Sequence, residues 1–370
     1  MHIFGRMDRG GAELRTLDLL EQVDPTRVQM IFATLGVGAG ELDGRIRELG
    51  ATVVPMTMAA DWPLRFRSAL REHRVDVVHS HVATFSGAIL ATARLSGVKR
   101  RIAHFRSEGD GHPDSARRRA QRAVMRKLLT ISATDIIAVS PAALRFAGAR
   151  SRSRAHTAVI PSGLATDPFR RPVNVDRIRG QARASASTVL AVHIGRSLAE
   201  KNRPRALGVL AAGRNDGTDL RLAYVGAMTA DEQASLTALA TKLGIGEHVS
   251  FLGQRDDVPD VLRAADLTLV TSTREGLPGV VLESFAAGTP CVASNLAGVV
   301  WVAETLPRII TVGLDEADEH WAAKVRDALA LPRDANSRAA ALRLIDRSVF
   351  SLDGARDAFT QLWTRSDHRP

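Results

Sequence analysis

Residues 272–294 read STREGLPGVVLESFAAGTPCVAS, and this stretch decides the fold. Pro278 disfavours a helical conformation at Leu277, so Glu275 belongs to a loop. From Gly279 onward the run VVLESFAAG reads as a helix, with Gly288 placed to stop it. Upstream, residues 265–272 (ADLTLVTS) make a short apolar strand, and downstream PCVAS (290–294) makes another. The order strand, loop, helix, strand puts Glu275 before the helix and Glu283 in its opening turns. Both carboxylates then sit at the carboxyl edge of a parallel sheet, where open α/β sheets bind ligands. Glu283 taken alone needs no function, because a helix dipole favours acidic residues near its start.

Two further stretches carry the argument away from coincidence. In residues 189–202, VLAVHIGRSLAEKN, an apolar strand ends at Gly195, and Arg196, Lys201 and Asn202 follow in a polar loop. Two cations at a strand end suit an anionic ligand whose charge they can neutralise. Arginine offers a planar fork to phosphate oxygens, while lysine acts as a point charge. A solvated basic loop is the plain alternative, and Glu200 between the cations reads as an ion-pair partner. At the amino terminus, HIFGRMDRGGAELRTLDLL runs from a short strand through Gly10 and Gly11 into a helix. Small residues there let backbone N–H groups approach a phosphate. Only Met1 precedes that strand, which leaves open a start upstream.

Together these segments resemble the retaining glycosyltransferases of family 4, the glycosyl transferases group 1, and bacterial exopolysaccharide and cell-surface glycan enzymes among them. The resemblance implies the GT-B fold: α/β, two Rossmann-like βαβ domains facing a central cleft. It implies that Glu275 approaches the donor sugar, that Glu283 binds the ribose, and that Arg196 and Lys201 grip the diphosphate. Gly10, Gly11, Gly195, Leu252, Gly276, Leu277, Pro278, Gly279 and Val280 join the donor-binding set. His104, ending the strand in RIAHFRSEGD, is expected to support the reacting centre. His81 of VDVVHSH is expected on the acceptor side, with a strand cap as the alternative. His112 and His193 are read as structural. Residues 249–258 (VSFLGQRDDV) resemble the segment that reads the nucleotide base, whereas YVGAMTADE (224–232) departs from the usual pattern and leaves the base open. Trp301 stands where the family has Glu, which leaves the donor sugar open as well.

Alternating apolar runs and amphipathic stretches predict strands at 29–34, 52–55, 75–79, 101–104 and 135–139, then at 189–194, 221–225, 249–252, 267–270 and 291–293. An acceptor-binding domain is expected over 1–172 and a nucleotide-sugar domain over 173–350, with a last helix, 351–366, returning to the first. Within VIPSGLATDPF (159–169), similar to the family's inter-domain stretch, Ser162 replaces the usual Asn and Ala165 the usual Asp.

Composition narrows the classes. The single cysteine, Cys291, excludes an internal disulfide and reads as a small packed hydrophobe. A zinc site is disfavoured by the lack of cysteine partners and by scattered histidines. The resemblance implies that no metal or cofactor is needed, since Arg196 and Lys201 would neutralise the diphosphate. No strand is followed by Gly-x-Gly-x-x-Gly, which disfavours a nicotinamide oxidoreductase. No apolar run reaches membrane-span length and no signal peptide is evident, so a cytoplasmic protein is expected. The formal charge of +10 includes a concentration at Arg117, Arg118, Arg119, Arg122, Arg126 and Lys127. Aromatic residues are too sparse for a base-stacking platform, so nucleic acid is not an expected partner. A basic face meeting an anionic membrane, at the inner face of the plasma membrane, and a plain solvated helix stay open side by side.

The expected partners are a nucleotide-sugar donor and a glycan, lipid-linked or small-molecule acceptor. An inactive sugar-nucleotide-binding homologue and a sugar-nucleotide epimerase of the same fold are the alternatives.

Overall fold

A computed structural model describes residues 1–109, 115–148 and 155–365. Among them, thirteen strands form two all-parallel sheets, one in each of two units. His112 and residue 366 lie outside the described residues.

The first unit comprises Met1–Gly163 together with the chain from Leu352 onward. Its strands are β1 (His2–Phe4), β2 (Ile31–Thr34), β3 (Thr52–Pro55), β4 (Val77–Ser80), β5 (Arg100–Phe105), β6 (Asp135–Ala138) and β7 (His156–Val159). They pair in the order β3-β2-β1-β4-β5-β6-β7. The order reverses between β1 and β4, so the switch point lies above His2–Phe4 and His79–His81. The helix Leu352–Thr364 packs on this unit through Ala355, Phe359, Leu362 and Trp363, which join Phe4, Leu17, Ile102 and Ile137 in one core.

The second unit, Leu164–Ser351, holds β8 (Val189–Ile194), β9 (Leu220–Val225), β10 (Val249–Phe251), β11 (Leu267–Val270), β12 (Cys291–Ser294) and β13 (Ile309–Val312). Their order is β10-β9-β8-β11-β12-β13, with the reversal between β8 and β11. These two strands carry the Gly195 loop and the Glu275 loop, so both loops emerge at the switch point. Strands covered on both faces need apolar residues throughout, and β11 and β12 are buried at every position.

The unit boundary falls after Gly163 rather than near residue 172. Leu164 bridges to Ser351, its N–H donates to the Phe350 carbonyl, and Phe169 is buried in the second unit's core. The stretch read as a linker is therefore anchored early. Strands β7 and β13 were not expected. Cys291 is buried in the second core, and burial pushes its thiol well above the ordinary value.

Candidate functional site

The loop after β8 is folded back on itself by a glycine. A Cβ on Gly195 would lie 3.2 Å from the Lys201 side chain, so glycine lets the lysine stem cross the strand end. Lys201 closes a short 3-10 turn, Ala199–Lys201, and Asn202 adopts a left-handed conformation at φ 47° before the helix Arg203–Asn215. Lys201 Nζ then reaches Glu275 Oε1 at 2.6 Å, across to the loop after β11. Ser272 Oγ donates to the same carboxylate oxygen at 2.8 Å.

Further bonds stitch the two loops together. Thr271 Oγ1 donates to the Asn202 carbonyl at 2.8 Å, and the Thr273 N–H donates to the Glu200 carbonyl at 2.7 Å. His193 is buried beneath them, its Nε2 within 3.2 Å of the Lys201 carbonyl and 3.1 Å of Thr271 Oγ1. Burial, with Arg203 and Lys201 nearby, pushes His193 down to about 3. Glu200 pairs with Arg274 rather than with either neighbouring cation. Arg196 is exposed and has no hydrogen-bond or ion-pair partner among the described residues. The structure thus brings Lys201 to Glu275 and leaves Arg196 outward at the same loop.

Downstream, Pro278 is extended and caps the helix Gly279–Ala287, which ends at Gly288 with φ 74°. Gly276 lies against the next helix, Ala297–Thr305, so closely that a Cβ on Gly298 would meet the Gly276 carbonyl at 2.4 Å. Glu283 is partly buried, and its Oε1 lies 3.8 Å from where a Cβ on Gly279 would be, so its carboxylate folds back toward the helix start. Leu277 packs partly against the core and Val280 is buried. Leu252 follows β10, its N–H bonded to the Tyr224 carbonyl. Trp301, at the position where the family has Glu, lies on the helix Ala297–Thr305. Its ring packs edge-on against Phe350 at 5.1 Å, partly buried in the core.

A pocket of about 310 Å³ lies at the ends of β9 and β10, lined among others by Ala227, Met228, Gln233, Phe251 and Gln254. Both segments that the sequence offered for base recognition contribute to it. Beside it lies a residue the sequence reading missed. Arg203 is fully buried, pairs with Glu232 at 2.8 Å and donates to the Gly195 carbonyl at 2.5 Å, tying the β8 loop to the β9 loop. One arginine among so many gives no sequence signal.

In the first unit, Gly10 is the extended N-cap of the helix Gly11–Gln22, and a Cβ on Gly11 would meet open space. His104 lies within β5 and is buried, rather than presented at the strand end. His79 Nε2 is 3.1 Å from His104 Nδ1, and the Trp363 indole N–H donates to His79 Nδ1 at 3.1 Å. His81 is partly buried, with Nε2 3.1 Å from His2 Nδ1, and Arg106 Nε donates to its Nδ1 at 3.1 Å. Arg106, also missed, holds the helix at Thr16 Oγ1 (3.0 Å) and the loop at Ser162 Oγ (3.1 Å). Burial pushes His2, His79, His81 and His104 well below the ordinary imidazole value, with Arg106 among the further causes.

The topology corrects the picture of scattered histidines, since His2, His79 and His81 place ring nitrogens within 4.8 Å of one another. They do not fit a metal ion. Both nitrogens of His79 and of His81 already have hydrogen-bond partners, and the Arg106 cation abuts the group.

On the basic helix, Ala116–Ser132, Arg117 and Arg119 are exposed, Arg118 and Arg122 partly so. Arg126 instead lies over the Phe146 ring and donates to its carbonyl. Val124 and Ile131 are exposed on the same helix. Among the described residues no helix is long and apolar enough to cross a membrane.

Comparison with known proteins follows the two units. Residues 174–341 match the family model described as glycosyl transferases group 1, and residues 10–163 match the glycosyl transferase 4-like domain. A capsular polysaccharide biosynthesis glycosyltransferase, CapH of Staphylococcus aureus, is 27% identical over 80% of this chain and 81% of its own. The Bacillus subtilis glycosyltransferase EpsF is 28% identical over 90% of this chain and 88% of its own. Among solved structures, Anabaena Alr3699/HepE in complex with UDP and glucose superposes with a TM-score of 0.80 at 20% identity, covering 97% of each chain.

Proposed function

The chain belongs to the group 1 glycosyltransferases with the GT-B fold, and from that premise we propose that it moves a sugar from a nucleotide-sugar donor to an acceptor hydroxyl with retention of configuration. The Lys201–Glu275 contact at the β8/β11 switch point is the observation that supports this most directly. It joins, at the edge where such sheets bind ligands, a cation suited to a diphosphate and a carboxylate suited to sugar hydroxyls. Arg196, exposed at the same loop, supplies the second cation. The pocket at β9 and β10 has room for a nucleobase, and Glu283 takes the ribose hydroxyls.

In the proposed reaction the acceptor oxygen bonds to the anomeric carbon on the face the diphosphate leaves. The bond from that carbon to the phosphate oxygen breaks, and the acceptor proton passes to the departing phosphate. Charge grows on the diphosphate during the step, so preformed cations favour the transition state over the ground state. No metal is assigned a part.

The kinship with capsular and exopolysaccharide enzymes supports an acceptor in cell-surface polysaccharide or glycolipid synthesis. Exposed Val124 and Ile131 among the arginines of the helix Ala116–Ser132 support peripheral contact with an anionic membrane, since an interfacial helix needs apolar anchors besides charge.

The test is a thermal-shift screen of nucleotide sugars, followed by nucleotide release with candidate acceptors and determination of the product's anomeric configuration. Inversion would overturn the retaining reading. Sugar interconversion without acceptor would indicate an epimerase, and binding without turnover an inactive homologue.

A further inference from the structure

Two side chains that can only donate hydrogen bonds bracket the four histidines of the first unit, and they dictate which ring nitrogen carries each proton. The Trp363 indole N–H points at His79 Nδ1, 3.1 Å away. An indole has no acceptor to offer, so Nδ1 must supply a lone pair and the His79 proton sits on Nε2. That proton faces His104 Nδ1 at 3.1 Å. His104 Nδ1 therefore accepts, and its own proton is on Nε2. The second chain begins at Arg106, whose Nε–H donates to His81 Nδ1 at 3.1 Å. His81 then carries its proton on Nε2, which faces His2 Nδ1 at 3.1 Å.

Neither chain admits a protonated ring, because an imidazolium has no lone pair for the donor before it. The low proton affinity that burial gives all four rings agrees with this. One end is left open. His104 Nε2 is buried and has no hydrogen-bond partner among the described residues. Native proteins rarely leave such a group unpaired, and a ligand or ordered water is the usual completion.

We infer that Trp363 and His79 are positioning residues that hold His104 as a neutral ring with its proton on Nε2, so that His104 donates a hydrogen bond to a substrate oxygen and does not act as a general base. The inference rests on the expectation, carried by the family resemblance alone, that His104 supports the reacting centre. It makes an indole on the returning helix Leu352–Thr364 part of the site's chemistry, 284 residues from the histidine it anchors.

The direct test is long-range 1H–15N correlation on the full-length protein labelled at histidine, near neutral pH. Wild-type His79 and His104 should both show the Nε2-protonated pattern. A wild-type His104 that is charged or protonated on Nδ1 overturns the inference. Trp363→Phe keeps a ring and removes the donor. It should release both histidines toward the opposite tautomer and lower kcat by about tenfold or more, the donor KM changing little. Unchanged tautomers in Trp363→Phe would also overturn it, and if that variant does not fold, the wild-type spectrum decides. His104→Gln retains an N–H donor and should keep more kcat than His104→Glu, which only accepts. Full activity in both, beside the expected wild-type spectrum, would instead remove His104 from the reaction and leave the tautomers standing.

Discussion

Lys201 Nζ stands 2.6 Å from Glu275 Oε1, so the cation proposed for the diphosphate and the carboxylate proposed for the sugar hold one another. Their side chains are only 19% and 13% exposed, which makes the pair less screened than a surface ion pair. Each partner keeps the other in place at the switch point, so less side-chain freedom would be lost on binding the proposed donor.

The two cations of the loop should therefore fail differently. Arg196→Ala should lower kcat by about a hundredfold and leave stability within about 0.5 kcal/mol, because Arg196 is exposed and unpartnered among the described residues. Lys201→Ala should lower kcat similarly and also destabilise by about 1–3 kcal/mol, because Glu275 loses its charged partner. Steady-state kinetics with urea denaturation checks both. Wild-type rates in both variants would remove the pair of cations from the mechanism.

The two carboxylates should separate by readout. Glu275→Gln keeps the shape, loses the charge facing Lys201 and should lower turnover with little change in nucleoside diphosphate affinity. Glu283→Gln should chiefly weaken that affinity. Calorimetric titration of both variants with the diphosphate measures the division, and equal losses would contradict it.

How much of this was legible in the sequence depended on how local the cause was. Residues 272–294 read correctly because Pro278 and Gly288 act on their own backbone, and Gly288 does take the left-handed conformation. Strands β8, β11 and β3 fall at the expected residues because apolar runs bounded by polar turns need no tertiary information. Strand β7 escaped because its four residues, HTAV, are half-exposed at the sheet edge, and β13 because its four residues, IITV, are separated from Pro307 by only one residue. The histidine cluster was invisible for another reason. His2, His79 and His104 meet only because β1, β4 and β5 are neighbours in the sheet, and Trp363 arrives on the returning helix. Arg203 was hidden by composition, being one buried guanidinium in an arginine-rich chain.

The basic helix should bind anionic vesicles in a salt-sensitive manner, since each basic residue near the surface contributes about 1 kcal/mol. Changing Arg117, Arg118, Arg119 and Arg122 to Glu should abolish binding while nucleotide affinity stays unchanged, because the proposed nucleotide site is in the other unit. Val124→Ser with Ile131→Ser should weaken the salt-resistant part alone. Sedimentation with phosphatidylglycerol vesicles at low and high salt reads both effects. No binding by the wild type at low salt would assign this helix to solvent and favour a soluble acceptor.

Stability should fall on mild acidification, before carboxylates titrate. His2, His79, His81 and His104 are held well below the ordinary imidazole value by burial, and His193 is held at about 3. Below about pH 6.5 the unfolded chain takes up protons on these rings that the native state refuses. Their contribution is therefore fully present above that pH and is lost progressively as pH drops toward the native values. The first unit, with four such rings, should lose more than the second, which has His193 and the less buried His248. Urea midpoints at pH 7.5, 6.5 and 5.5, followed by indole fluorescence of Trp363 beside His79 and of Trp321 in the second core, measure this unit by unit. A midpoint in the first unit that stays level between pH 6.5 and 5.5 would mean that the histidines are not held neutral, and the hydrogen-bond polarity drawn from Trp363 and Arg106 would fail with it.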